Sequence, residues 1–432
     1  MIKKDIIAQI ILDFQKRDLP KLAERSLKID LNIPLKRAIV ILGPRRSGKT
    51  YYFYCLIKKL LERKVSKQKI LYINFEDPKL VGASMEDLNI ILDVFYEIYP
   101  KNKKQKIWLF FDEIQNIKNW ELFIRNILDS ENAQIFISGS SSKLLSKEIA
   151  TSLRGRSLSY LMLPFSFFEF LKLKKIVYKK YLSSEEQANL KNLFNRYFSY
   201  GGYPEVLLYP KEQKRIINEI IEVTIYRDLI ERYKIRNIKV LKLMFNYLVK
   251  AKEFSTHKFY NFLKSLNIKI SKNSLYNYLE YFNDAFIFFP LRKFSFSLKK
   301  IEQSLAKIYV IDNALITNIL GDDRGKKFEN LCFLGLLSKN FEPNKDFFYY
   351  NFNHSSEIDF VIKQKNLIKQ LIQACYDISD YDTKQREIKS LVKASGELKC
   401  NNLLILTYAY EAEERVKNKK IKYIPLWKWL LE

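Results

Sequence analysis

The apolar residues of this 432-residue chain are laid out in three successive styles. Up to about residue 140 they come as short unbroken runs, at 37–42 (RAIVIL), 69–75 (KILYINF), 107–111 (IWLFF) and 134–138 (QIFIS). Runs this short with consecutive apolar positions predict strands covered on both faces, the habit of a parallel sheet. Between the first two, residues 51–64 carry apolar side chains at helical spacing. Farther on, the spacing turns helical three times, at 238–251, 255–266 and 271–284, the second stretch opening on a cap-like Ser255-Thr256. Strands are predicted at 286–291 and 307–310, around a basic loop with Arg292, Lys293, Lys299 and Lys300. Beyond about 312 the pattern is that of a small mixed α/β domain. It has a helix opened by 327–330, strands at 346–352, 357–362, 367–374 and 403–407, and a closing strand and helix within 421–432.

The first strand runs directly into Gly43-Pro44-Arg45-Arg46-Ser47-Gly48-Lys49-Thr50, a complete G-x-x-x-x-G-K-[ST] sequence between a predicted strand and a predicted helix. Gly43 and Gly48 allow a tight backbone turn whose N–H groups converge, and the following helix points its positive end at the same place. That arrangement wraps a polyphosphate. Lys49 would reach the β- and γ-phosphates, and the Thr50 hydroxyl would ligate the Mg²⁺ that accompanies ATP. Arg45 and Arg46 either touch phosphate or stand in solvent.

Hydrolysis needs a carboxylate beside the metal and another beside the attacking water. The apolar run at 107–111 ends in Asp112-Glu113, where a buried parallel strand delivers both acids to its C-terminal edge. Asp112 would hold the Mg²⁺ shell and Glu113 would orient and deprotonate water. Ser138 and Ser140, at the end of the run at 134–138, are candidates to sense the terminal phosphate, or else cap the next helix. Arg154 and Arg156 could neutralise transition-state charge, in their own chain or from a neighbouring copy in a homo-oligomer, or be surface cations.

The chain resembles the prokaryotic, especially archaeal, AAA-superfamily ATPases that carry a C-terminal nuclease-like domain of unknown function. The resemblance rests on residues 43–50, on Asp112-Glu113-Ile114-Gln115 with Trp120-Glu121, and on Ser138-Gly139-Ser140. It continues through Arg154-Gly155-Arg156, the segment 163–170 (LPFSFFEF) and Gly201-Gly202-Tyr203-Pro204-Glu205. It implies an α/β P-loop ATPase domain with an N-terminal helical arm over 1–165, a helical lid over 166–235, a winged helix over 236–311 and a restriction-endonuclease-like domain over 312–432. If that winged helix binds DNA, its third helix would offer Lys272, Asn273, Ser274 and Asn277 to the major groove, while Arg292 and Lys293 meet phosphates. The alternative is a packing or interaction module.

In restriction-endonuclease-like enzymes, a helix glutamate, a strand aspartate and a Glu-x-Lys on the next strand bind metal and activate water. Glu329 and Asp359 match the first two. The third element reads Gln373-Ala374-Cys375, which supplies neither the charge nor the ammonium, so Glu329, Asp359, Gln373 and Cys375 are read as remnants of a site with weak or absent cleavage. Glu357 and Asp359 could also be simple strand-edge acids.

Composition changes this picture in two ways. A formal net charge of +27 favours a polyanionic partner, DNA before membrane, although abundant Lys, Asn, Ile, Tyr and Phe also fit AT-rich coding. Cys55, Cys332, Cys375 and Cys400 are scattered and only His257 and His354 occur, so a disulfide framework or zinc site is not supported. Apolar stretches stop short of the ~18 residues a membrane helix needs, and Asp5 and Asp13 spoil a signal peptide, which together predict a cytoplasmic protein. Three readings follow: an ATP-driven switch or motor acting on DNA, an ATP-regulated nuclease, and a protein-interaction switch with no nucleic-acid role.

Overall fold

The computed structural model describes residues 2–140, 153–179, 181–352 and 356–432. They form two compact units, Met1–Leu163 and Pro164–Glu432.

The first unit is built on strands β1 (Ala38–Leu42), β2 (Ile70–Asn74), β3 (Ile107–Asp112), β4 (Ala133–Gly139) and β5 (Ser157–Leu161), all parallel, in the order β2-β3-β4-β1-β5. The central strands are apolar because helices cover them. Phe110 stacks on Phe136 at 4.5 Å and meets Phe53 of the helix Lys49–Glu62 edge-on at 5.3 Å, all three fully buried. Each such ring removes enough apolar surface from water to contribute about 2–3 kcal/mol. The helical arm Lys4–Lys16 buries Ile7, Ile11 and Phe14, one stripe at helical spacing. Ser84 and Asp87 close a capping box on Met85–Ile98, which fixes where that helix begins. Because the strands are parallel, Gly43, Asp112 and Gly139 arrive together at one edge. The edge strand β5 lies outside the predicted set. Its sequence SLSYL alternates polar and apolar over its first four residues, with Ser159 exposed and the rest half-buried, so it lacks the unbroken apolar run that marks its neighbours.

The second unit opens with helices at Phe167–Leu173, Ser184–Tyr200, Pro204–Leu208 and Gln213–Val223, the last continuing as a wider π-turn over Thr224–Glu231. Capping boxes Ser166/Glu169 and Ser183/Glu186 start the first two. Gly201-Gly202 is a close crossing. A Cβ on Gly202 would lie 2.0 Å from the Phe165 carbonyl oxygen, and one on Gly201 would strike the Asp312 carboxylate at 1.5 Å. Asp312 accepts from Gly202 N–H at 2.6 Å while capping the helix Asn313–Leu320 through Ala314 N–H at 2.8 Å. Burial pushes its carboxyl up to about 7.

Helices Ile238–Lys250, Thr256–Ser265 and Lys272–Asp284 follow, each within a residue or so of its expected place, interleaved with β6 (Glu253–Phe254), β7 (Phe288–Leu291) and β8 (Ala306–Val310). These strands form an antiparallel sheet, β6-β8-β7. Because β6 pairs only with the start of β8, the Asn330 amide completes that side, accepting from Val310 N–H at 2.8 Å and donating to Val310 O at 3.0 Å.

The terminal part carries β9 (Phe347–Phe352), β10 (Ser356–Gln364), β11 (Leu367–Cys375), β12 (Leu403–Thr407), β13 (Ala412–Val416) and β14 (Lys419–Pro425), in the order β13-β14-β12-β11-β10-β9. β11, β12 and β14 are parallel, with the helix Tyr381–Glu397 making the crossover from β11 to β12. Helix Arg324–Ser338 precedes them, starting three residues before the expected opening at Lys327. Among the described residues no helix is long and apolar enough to cross a membrane.

Candidate functional site

The loop after β1 crosses other backbone so closely that position 43 must be glycine: a Cβ there would sit 2.1 Å from the Met162 carbonyl oxygen. Gly48, at φ 97°, takes the left-handed conformation that turns the chain into the helix Lys49–Glu62. The first N–H groups of that helix have no intrahelical acceptor and face the loop. Ser47 is fully buried and its Oγ has no hydrogen-bond partner among the described residues, an unsatisfied polar atom inside the cradle. Lys49, 4% exposed, donates to the carbonyls of Gly43 and Pro44 at 3.1 Å each and pairs with Glu113 at 3.3 Å. Arg45 pairs with Glu76 at 2.7 Å, and Arg46 takes a left-handed turn conformation at φ 62°.

Asp112 is the hub. Thr50 Oγ1 donates to its Oδ2 at 2.6 Å, the Tyr72 hydroxyl donates to the same oxygen at 3.0 Å, and Ser138 Oγ donates to Oδ1. Burial raises its carboxyl pKa and the neighbouring Glu113 charge adds to this, while Ser138, Thr50 and Lys49 oppose the rise. Burial pushes Glu113 the same way, yet the cations Lys49 and Arg45 outweigh it and hold Glu113 below the usual carboxylate range. Glu113 has a left-handed backbone at φ 53°, donates its N–H to Ser138 Oγ at 3.0 Å and accepts from the Gln115 amide. Gln115 also reaches Ser140 Oγ at 3.5 Å, so Ser138 and Ser140, both fully buried, lie in one network with the two acids. The cradle, the buried Ser47 hydroxyl and the Thr50–Asp112 pair fit a nucleotide triphosphate with its divalent metal.

Tyr72 and Arg25 support this site without any counterpart in the expectations from sequence, whereas Gln115 lies in the stretch Asp112-Glu113-Ile114-Gln115 that carries the resemblance but has no role given to it there. Tyr72 was visible only as a hydroxyl inside an apolar strand. Gln115 follows the two acids closely but carries no charge to mark it. Arg25 donates from the N-terminal segment to the carbonyls of Ser47 and Leu163, bracing the loop from a stretch that gives no pattern at all.

Arg156 does not join the cluster. Arg156 O accepts from Ala38 N–H at 2.9 Å, at the start of β1, and its guanidinium pairs with Asp129. The loop leaves the other end of that five-residue strand, about 16 Å away. In this arrangement the Arg156 guanidinium is turned to Asp129 and stands away from the loop of its own chain.

Lys272, Asn273 and Asn277 stand exposed on the helix Lys272–Asp284, with Ser274 half-buried in its cap. Lys272 Nζ lies 3.1 Å from His257 Nδ1. Arg292 and Lys293 are less available than expected: Arg292 pairs with Glu302 at 3.0 Å, and Lys293 donates to Asn351 Oδ1 at 2.7 Å.

Of the four expected remnants in the terminal part, Glu329 and Asp359 come together, joined by Glu357, with oxygens within 4.8 Å of one another. Gln373 and Cys375 do not join them. The Gln373 amide accepts from Asp359 N–H at 3.3 Å and donates to Glu357 O at 3.1 Å and to Glu387. The Cys375 thiol donates to Asp377 O at 3.2 Å, and burial pushes it up to about 12.

Residues 35–171 match the AAA domain family, and residues 191–326 match a domain of unknown function, DUF8612. With the loop and acid geometry, that match makes the first unit an AAA-type P-loop ATPase domain. The whole chain belongs to the family of the uncharacterized protein MJ1544 of Methanocaldococcus jannaschii, to which it is 42% identical over 99% of its own length and 96% of that protein's. An uncharacterized Haemophilus influenzae protein is 26% identical over 90% of this chain and 93% of that one. Among solved structures, the Aeropyrum pernix ORC1 protein in complex with DNA aligns with 66% of this chain and 87% of its own at 14% identity. Its TM-score of 0.30 is too slight a likeness to carry function across.

Proposed function

We propose that this protein hydrolyses ATP with Mg²⁺ and uses the cycle as a nucleotide-driven switch whose cargo is DNA. The observation that carries the ATPase reading is the 2.6 Å hydrogen bond between Thr50 and Asp112, with Glu113 held 3.3 Å from Lys49 on the next residue of the same strand end. Thr50 and Asp112 would hold Mg²⁺, which when bound withdraws charge from the β- and γ-phosphates. Lys49 exchanges the Gly43 and Pro44 carbonyls for phosphate oxygen. That exchange loosens its hold on Glu113, which accepts a proton from water while Gln115 fixes the carboxylate. Ser138 and Ser140 report on the terminal phosphate through the same hydrogen bonds.

The division into a lid over 166–235, a winged helix over 236–311 and a terminal domain over 312–432 belongs to this proposal, as does an arginine supplied by a second copy. The DNA reading draws support from the net charge of +27 and from the exposed Lys272, Asn273 and Asn277. The deciding measurement is phosphate release by purified protein with Mg²⁺, with and without duplex DNA. No release, or release that survives Lys49→Ala, overturns the ATPase reading. Hydrolysis that DNA never stimulates, with no salt-sensitive DNA binding, leaves a protein-interaction switch as the better account.

A further inference from the structure

The three carboxylates of the terminal part already have a cation. Lys307, on β8 of the preceding sheet and only 1% exposed, donates from Nζ to Glu329 Oε1 at 2.7 Å and Asp359 Oδ1 at 2.9 Å, and pairs with Glu357 Oε1. The ammonium donates hydrogen bonds to two of these carboxylates and stands against the third as an ion pair, so one charge serves all three. Their oxygens are grouped closely enough to ligate a metal. Tyr309 donates to Glu329 at 2.7 Å and Lys252 pairs with Glu357 at 3.2 Å, so the acids are further satisfied from the same side.

We propose that Lys307 is a built-in replacement for the divalent metal that a nuclease-like domain would require at Glu329, Glu357 and Asp359. The cluster takes up no Mg²⁺ or Mn²⁺ and works as a charged latch fixing β8 to the helix Arg324–Ser338 and to β10.

Two observations make the replacement permanent rather than a gate. Lys307 is paired in register with Glu253 of β6 and Leu291 of β7, so its backbone is fixed in the middle of a sheet. A divalent ion at ligand distance from the same three oxygens would stand within a few ångströms of the ammonium, in a site where like charges are poorly screened. Metal and lysine are mutually exclusive there. A cavity of about 270 Å³, lined by Lys250, Lys252, Lys307, Lys326, Asp323 and Glu329, opens beside the cluster, so access is not what keeps metal out. The Gln373 and Cys375 positions agree: the Gln373 amide is engaged by Asp359 N–H, Glu357 O and the Glu387 carboxylate, and the Cys375 thiol by Asp377 O, so neither side chain adds a ligand to the three carboxylates. None of this depends on the ATPase reading.

The test is a Mn²⁺ titration of the nucleotide-free, full-length protein, following the spectrum of free Mn²⁺. Wild type and Asp359→Asn are expected to give the same curve, any weak uptake at Thr50 and Asp112 being common to both. Lys307→Met is expected to bind one further equivalent per chain, at least tenfold more tightly than any wild-type site, and the added Asp359→Asn removes it. An equivalent bound by wild type and lost in Asp359→Asn overturns the proposal, as does Mn²⁺-dependent plasmid cleavage with the same sensitivity. So does a folded Lys307→Met protein that takes up no extra metal. Should Lys307→Met fail to fold, Lys307→Met/Asp359→Asn is expected to restore folding by removing one unpaired charge. Failure of that rescue overturns the latch.

Discussion

Lys49 and Glu113 neutralise each other before any nucleotide arrives, so each residue of the pair has a distinct part that substitution separates. Lys49→Ala is expected to weaken ATP binding by about 100-fold, a loss of about 2.7 kcal/mol, read by a fluorescent nucleotide. Glu113→Gln keeps the shape and removes the base. It should retain nucleotide while turnover falls by about 10²–10⁴-fold in a phosphate-release assay. Normal turnover in that variant would mean another group activates the water. Arg25→Ala tests the brace: losing its bonds to the Ser47 and Leu163 carbonyls should raise the ATP Kd by about tenfold with little effect on kcat. The loop and both acids were legible in the sequence because each sits in a short motif at a strand end. Arg25, Tyr72 and Lys307 were not, because their partners are brought to them only by folding, and each side chain read alone is an ordinary surface or core residue.

At the scale of elements, legibility followed burial. Strands covered on both faces, such as β3 and β12, show unbroken apolar runs and were placed to within a residue. The edge strands β5 and β13 carry no such run: β13 reads AEERV, with Glu413 and Arg415 facing water, and its pairing with β14 is a tertiary fact. The Gly201-Gly202 pair was recognisable as a motif, whereas its reason, the crossing under Phe165 and Asp312, was not. Gly202→Ala should destabilise the second unit by about 2–3 kcal/mol, measured by urea unfolding, because the Phe165 carbonyl cannot retreat without losing its place. An unchanged midpoint would show that the crossing relaxes freely.

For the whole molecule, charge is the property that the proposed cargo must answer to. If DNA is the partner, the logarithm of the binding constant should fall linearly with the logarithm of salt concentration, with a slope of about −0.9 for each phosphate neutralised. Lys272→Ala should reduce that slope by about one contact while leaving basal ATP hydrolysis unchanged. A flat salt response would assign the excess of lysine to coding bias and turn attention to a protein partner.

The lysine of β8 and the acids of the terminal part also bear on how such a chain can vary. Removing either side leaves buried or half-buried charge without its partner, so the segments before and after residue 311 are poor candidates for independent exchange. A fragment ending there would expose Lys307 without its acids, and one beginning there would carry three acids without their cation. Relatives that replace the lysine should therefore replace the carboxylates with it, and gene fusions that keep the ATPase unit should be found to inherit or discard both segments together.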